Sequence, residues 1–248
     1  MQAALAEDFP DDTYVAISDA EAEKRYTQAG LRNQISQAIG QGMSVTLGTS
    51  VGQYSSEAMT AFNNEVATAN TLLSSGNITA EQAQEQVERL ITALENAKIL
   101  PTASTGNNEY WYQIASLRSP ELYITATGSA TGVTGSQQYS KKSSSMWKFV
   151  ERGDGSYNIV NREYNCYLSP SAAYNTQVQT VSSVPSSGWE IKNSGTPGNF
   201  IISSGDVQLN QTGSAQNYAI YNWSDPNNKG NDLTDQGCQL TIKEAPEP

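Results

Sequence analysis

Trp223 stands among hydrogen-bonding side chains: Asn210, Tyr221 and Asn222 before it, and Asn231, Asp232, Asp235 and Gln239 after it. An aromatic plane suits the apolar C–H face of a pyranose, and planar amides and carboxylates match the fixed geometry of its hydroxyls. Two other chemistries use similar groups. Paired carboxylates cleave glycosidic bonds, but Asp154, Asp206, Asp225, Asp232 and Asp235 fall mainly in turn contexts such as Gly153-Asp154-Gly155, which turn geometry explains better. Asp225, Asp232 and Asp235 surround Gly230 without the spacing of any established calcium loop, so no metal is expected. Histidine is absent altogether. That removes Ser-His and Cys-His nucleophilic catalysis, histidine-held metals and imidazole proton shuttles. The expectation is a binding protein, not an enzyme, with no cofactor.

The elements that must position these residues are written three times over. One line runs 112–115, 122–125 and 147–150; the next 157–160, 166–169, 177–181 and 189–191; the third 200–203, 207–210, 219–223 and 238–242. Their leading aromatics, Tyr112, Tyr157 and Phe200, lie 45 and 43 residues apart. Such a period marks a unit that cannot bury its apolar face alone. Short alternating runs separated by Gly, Ser, Asn, Pro and Asp read as about four strands per unit. A propeller needs at least four blades of this size.

Three four-stranded units resemble a β-trefoil, and the closing Trp-x-hydrophobic strand is similar to the ricin-type lectin version. The resemblance implies a polar residue after each second strand, an aromatic on each third strand and a polar residue near each fourth. The third unit matches best. Asn210 stands where that family usually has an aspartate, Tyr221 and Trp223 supply the aromatics, and Asn231, Asp232 and Asp235 precede Gln239-Leu240-Thr241, set against the family's Gln-x-Trp. Thr125 and Ser169 hold the polar place in the other units. The second unit's third strand has no aromatic, and in the first only Tyr139 can be offered. Trp147 and Trp189, with Tyr112, Tyr157 and Phe200, read as core by their equivalent places.

Ahead of this region the composition differs. Residues 1–104 are rich in Ala, Gln and Glu, lack Trp, and carry five basic against thirteen acidic residues. Residues 8–18 read as an extended lead-in, with 14–17 a short strand or a strap. A helix is expected from Asp19, with Leu31, Ile35, Ala38, Ile39 and Met43 on its buried face and Gly40 and Gly42 weakening it. A loop at 47–54 follows. The second helix is expected from Ser55 or Ser56. The third opens on Thr79 with Gln82, a capping box. Three amphipathic helices with short loops bury their stripes against one another as a bundle. Gly52-Gln53-Tyr54-Ser55, Phe62-Asn63 and Ile78-Thr79-Ala80-Glu81-Gln82 make this part similar to the FIVAR-type helical module. That resemblance implies a spacer or accessory role beside carbohydrate-active domains of secreted and surface bacterial proteins.

The expected organisation is therefore 1–104 as a three-helix bundle with its lead-in, a short polar linker near 101–108, a β-trefoil at 107–242, and a tail at 243–248. A net charge of −11 without a basic stripe disfavours nucleic acid and anionic membranes. No apolar run approaches membrane-spanning length. Cys166 and Cys238 either bridge or remain two small buried thiols. The expected partner is a glycan, met outside the cell or at a bacterial surface, with further domains attached in a longer protein. The alternative is a protein–protein or scaffold module, since fold does not dictate function.

Overall fold

The structure, a computed structural model, describes residues 19–136, 141–194, 196–224 and 234–246. The expected strand or strap at 14–17 and Tyr139 lie outside these residues.

Helices α1 (Asp19–Met43), α2 (Met59–Leu73) and α3 (Ala80–Ala97) pack their stripes around Ile35, Phe62, Ala69, Ala83 and Leu90, all fully buried. The start of α3 follows the capping-box logic. Thr79 Oγ1 accepts from the Gln82 amide at 3.1 Å, and Gln82 Oε1 accepts from the Thr79 amide at 3.0 Å. The start of α2 falls later than the serines suggest. The Ser55 carbonyl and hydroxyl already accept from the Met59 and Ala58 amides (2.9 and 3.5 Å), so a tight turn occupies 55–58 first. Met43 is also misplaced by periodicity: as the last residue of α1 it is 73 % exposed. Nor does Gly42 weaken α1. A Cβ there would lie 2.0 Å from the Phe62 ring, so the glycine lets the two helices meet.

The β part holds three repeats: β1 (Tyr112–Ser116) to β4 (Trp147–Glu151), β5 (Tyr157–Asn161) to β9 (Glu190–Asn193), and β10 (Phe200–Ser204) to β13 (Leu240–Glu244). Six strands close a barrel in the order β1-β4-β5-β9-β10-β13, every neighbour antiparallel. One end is covered by three hairpins: β2 (Tyr123–Thr125) with β3 (Thr134–Ser136), β6 (Tyr167–Ser169) with β8 (Gln179–Val181), and β11 (Val207–Gln211) with β12 (Ile220–Trp223). A ring of backbone bonds joins them. The Val133 amide donates to Val178 O (3.0 Å), Val178 to Ile220 O (2.7 Å), and Ile220 to Val133 O (2.9 Å). This is the threefold closure of a β-trefoil. It also explains why the single strand expected at 177–181 is split: Val178 turns its backbone to the ring, between β7 (Thr176–Gln177) and β8.

The two repeat tryptophans are buried, their indole N–H groups donating to Ile124 O (2.8 Å) and Leu168 O (2.9 Å). Tyr112 and Phe200 join that core, and Tyr157 packs against it half-buried. At the chain end, β13 outruns the expected boundary at 242. Lys243 and Glu244 pair with Gln113 and Tyr112, and the Ala245 amide donates to Trp111 O at 2.8 Å.

The residues expected as a polar linker are laid onto the barrel. The Ser104 amide donates to Phe149 O (2.7 Å) and the Thr102 amide to the Tyr112 hydroxyl (2.8 Å). The bundle then docks through its 47–54 loop. Val51 packs against the barrel core, and Gly52, at φ +81°, faces the Gly198 carbonyl, which a Cβ would approach to 2.7 Å. Lys98 is 6 % exposed; its Nζ donates to Asn193 Oδ1 (2.8 Å) and to Asn199 O, and lies 4.4 Å from the Phe200 ring centre. Burial lowers its pKa to about 8, against a weaker upward pull from the Glu95 carboxylate.

Two outcomes follow from this junction. Gly52→Ala should destabilise it by about 1 kcal/mol or more, since it meets both a left-handed backbone and a carbonyl; faster proteolysis at 101–108 reads the effect. Lys98 titrates lower in the folded protein than in the unfolded chain, which therefore holds the extra proton between about pH 8 and pH 10.5. Stability should rise across that interval. Relative to Lys98→Met, the protein should gain on the order of 2 kcal/mol between the two limits, measured by denaturant titration at each pH.

Candidate functional site

The third hairpin sets the site. In its register Asn210 faces Tyr221 and Gln208 faces Trp223. Side chains alternate along β12, so Ile220 and Asn222 are buried while Tyr221 and Trp223 are half-buried on the other face. That face borders an open hollow of about 500 Å³ lined by Arg118, Asn175, Asn210, Thr212, Gly213, Gln216, Tyr221, Trp223 and Asp235.

Arg118 organises the polar wall. It comes from the turn after β1, in the first repeat, and donates to Asp235 Oδ1 (2.7 Å) and Gln211 O (2.6 Å), with Asn210 Oδ1 at 3.5 Å. Asp235 Oδ1 also accepts from the Gly237 amide at 2.6 Å. Side-chain exposures of 33 % for Arg118 and 22 % for Asp235 put the pair at the rim, where a charge pair keeps contact with water. Asn210, 3 % exposed, donates from Nδ2 to Cys238 Sγ at 3.0 Å. It props the wall from behind. Trp223 packs on Tyr174, ring centres 5.5 Å apart at 50°.

The structure thus brings Asn210, Tyr221, Trp223 and Asp235 together. Asn231 and Asp232 lie outside the described residues. Gln239 is elsewhere: it is 6 % exposed, and its Oε1 accepts from the Thr196 hydroxyl. The cause is register. Trp147 pairs with Tyr112 and Asn161, whereas the residue pairing with the equivalent Phe200 and Ser116 is Leu240. Leu240 takes the tryptophan place, and two residues earlier stands Cys238, not Gln239. A shift of one residue turns a strand side chain to the opposite face. In the other repeats, buried Thr125 bonds its hydroxyl to Tyr123 O (2.8 Å), and Ser169 borders a separate hollow.

Arg118 and Asn175 were invisible to a reading of the third repeat by itself, because they belong to the first and second. Only closure of the ring brings them here. Asn175 sits at φ +56°, a left-handed conformation that asparagine tolerates. Among the described residues no three acidic, thiol or imidazole groups gather as a metal site.

Both cysteines are free and buried. The Cys166 thiol is pushed up by burial, which keeps it protonated. Thiol titration without reductant should therefore find almost no reaction in the native protein and two thiols per chain in denaturant.

Neither a protein-family profile nor a curated protein sequence matches the chain. Solved structures resemble it in chain path. The designed threefold-symmetric protein ThreeFoil is 18 % identical at a TM-score of 0.45, the match covering 54 % of this chain and 98 % of that one. A ricin B-like lectin of Macrolepiota procera, solved with lactose, is 17 % identical at 0.46, over 58 % and 99 %. A GlcNAcα1-4Gal-releasing endo-β-galactosidase of Clostridium perfringens is 13 % identical at 0.43, over 55 % of this chain but 33 % of that one.

Proposed function

We propose that the chain is a non-catalytic glycan-binding protein whose sugar site is the hollow of the third repeat. One observation carries the reading: Tyr221 and Trp223 converge with Arg118, Asp235 and Asn175 on a single open hollow. The apolar face of a pyranose stacks on the indole. Sugar hydroxyls donate to Asp235 and accept from Arg118, with Asn175 offering both a donor and an acceptor. The ion pair, fixed by Gln211 O and the Gly237 amide, is oriented before the ligand arrives.

In this reading the wall binds sugar without cleaving it: Asp235 is already paired with Arg118 at 2.7 Å. The helical part is, in the same reading, a FIVAR-type accessory module, docked on the barrel through Val51 and Lys98. The setting is extracellular or a bacterial cell surface, within a longer glycan-processing protein.

Calorimetric titration against a panel of neutral and acidic glycans tests the reading. Trp223→Ala and Asp235→Asn should each weaken binding about tenfold or more, the loss of roughly one good stacking or charge-assisted contact. Gln239→Ala should leave affinity unchanged. Binding indifferent to both site variants moves the sugar elsewhere, and no binding to any glycan ends the proposal.

A further inference from the structure

A second hollow, of about 530 Å³, lies on the second repeat; Ser169, Ser171, Thr176, Gln177 and Gln179 line it together with the apolar Val181 and Ala173, and the buried Asn222 stands behind it. It is adjacent to the first. β7 pairs with β12, so Gln177, on the second hollow, is the register partner of Tyr221, on the first. One loop edges both: Ala173 borders the second hollow and Asn175 the first, with Tyr174 between these two residues in the chain.

That loop is fastened at several points. The buried Asn222 accepts on Oδ1 from the Ser171 amide (3.2 Å) and on its carbonyl from the Asn175 amide (2.8 Å). Thr176 Oγ1 donates to Ala173 O at 2.6 Å. Yet Tyr174 is left 52 % exposed, its ring tilted at 50° to Trp223. An aromatic side chain held at a rim by a pinned loop, next to a second indole, is a stacking platform preorganised before binding. Charge points the same way. Among the described residues of the two hollows, Arg118 and Asp235 are the charged ones, and they neutralise each other at 2.7 Å.

Resting on the sugar reading above, we infer that the two hollows form one cleft for an uncharged oligosaccharide, with Tyr174 stacking the ring that crosses from the third repeat to the second. A monosaccharide fills the Trp223 hollow and leaves Tyr174 and the second hollow unused. Each added ring then meets hydroxyls and amides for its own hydroxyls, with Val181 and Ala173 beside its apolar C–H face.

Ladders of one to four sugar residues in β1,4-glucan, β1,4-mannan and β1,4-galactan series, with oligogalacturonates as the charged control, supply the test by calorimetry on the full chain. Affinity should rise about tenfold or more from one residue to three or four. Tyr174→Ala should erase that rise, lowering the affinity for three or four residues about tenfold more than the affinity for one, and Tyr174→Phe should restore it. Affinity flat with length but still lost in Trp223→Ala overturns the shared cleft and leaves the single site standing. Tighter binding of the charged ladder overturns the uncharged ligand. Failure of every ladder on the unmodified protein overturns the sugar reading and this inference together.

Discussion

The closed ring of backbone bonds among Val133, Val178 and Ile220 is the constraint from which the rest of the structure follows. Each of these residues is fully buried at the same place of its repeat, and each gives one bond and takes one. Such a ring exists only when all three hairpins are present, so no repeat can form it by itself. The indoles of Trp147 and Trp189 then fill equivalent places in the barrel and satisfy equivalent carbonyls. The third place is held by Leu240, which is smaller and has no donor. The helical bundle docks on this same repeat, placing Val51 against the barrel core and Lys98 over Phe200. Where the symmetry is weakest, a second domain supplies packing.

Ring closure also makes the candidate site. A trefoil brings the turn after β1 beside the end of the third repeat, and so Arg118 reaches Asp235 across more than a hundred residues of chain. The second repeat contributes Asn175 by the same adjacency, and its Tyr174 packs on Trp223 at the rim. Symmetry-related hollows therefore acquire different chemistry. The first and second repeats keep small hydroxyls, Thr125 and Ser169, at the place of Asn210, whereas the third gathers two aromatics, an ion pair and amides.

What the chain announced in advance was whatever depends on nearby residues or on repetition. Thr79 and Gln82 cap α3 through contacts within four residues, and the tryptophans declare their places by recurring. What stayed hidden depended on closure or on alternation. Residues 101–108 look like a free linker by composition, but their amides find carbonyl and hydroxyl partners on the barrel. Met43 fits the helical period and is nonetheless exposed, because periodicity cannot say where a neighbouring helix ends. Gln239 carries an amide suited to a sugar hydroxyl, yet in a strand the parity of a position outweighs the chemistry of its side chain. The pairing of Leu240 with Phe200 settles that parity, and sequence alone offers no view of it.

The same parity explains why Asn210 is not an aspartate. Its side chain is 3 % exposed and lies 3.0 Å from the Cys238 sulfur, which stands one strand position before Gln239. A carboxylate there would face a soft, weakly polar neighbour almost out of contact with water, a costly place for a charge. The amide does better, since Nδ2 has a sulfur to donate to and Oδ1 lies near Arg118. The negative charge sits instead on Asp235, at the rim, where Arg118 and the Gly237 amide hold it and water still reaches it. Moving the carboxylate outward couples it to a residue of the first repeat. The third hollow thereby depends for its polarity on the closure that shapes the whole barrel.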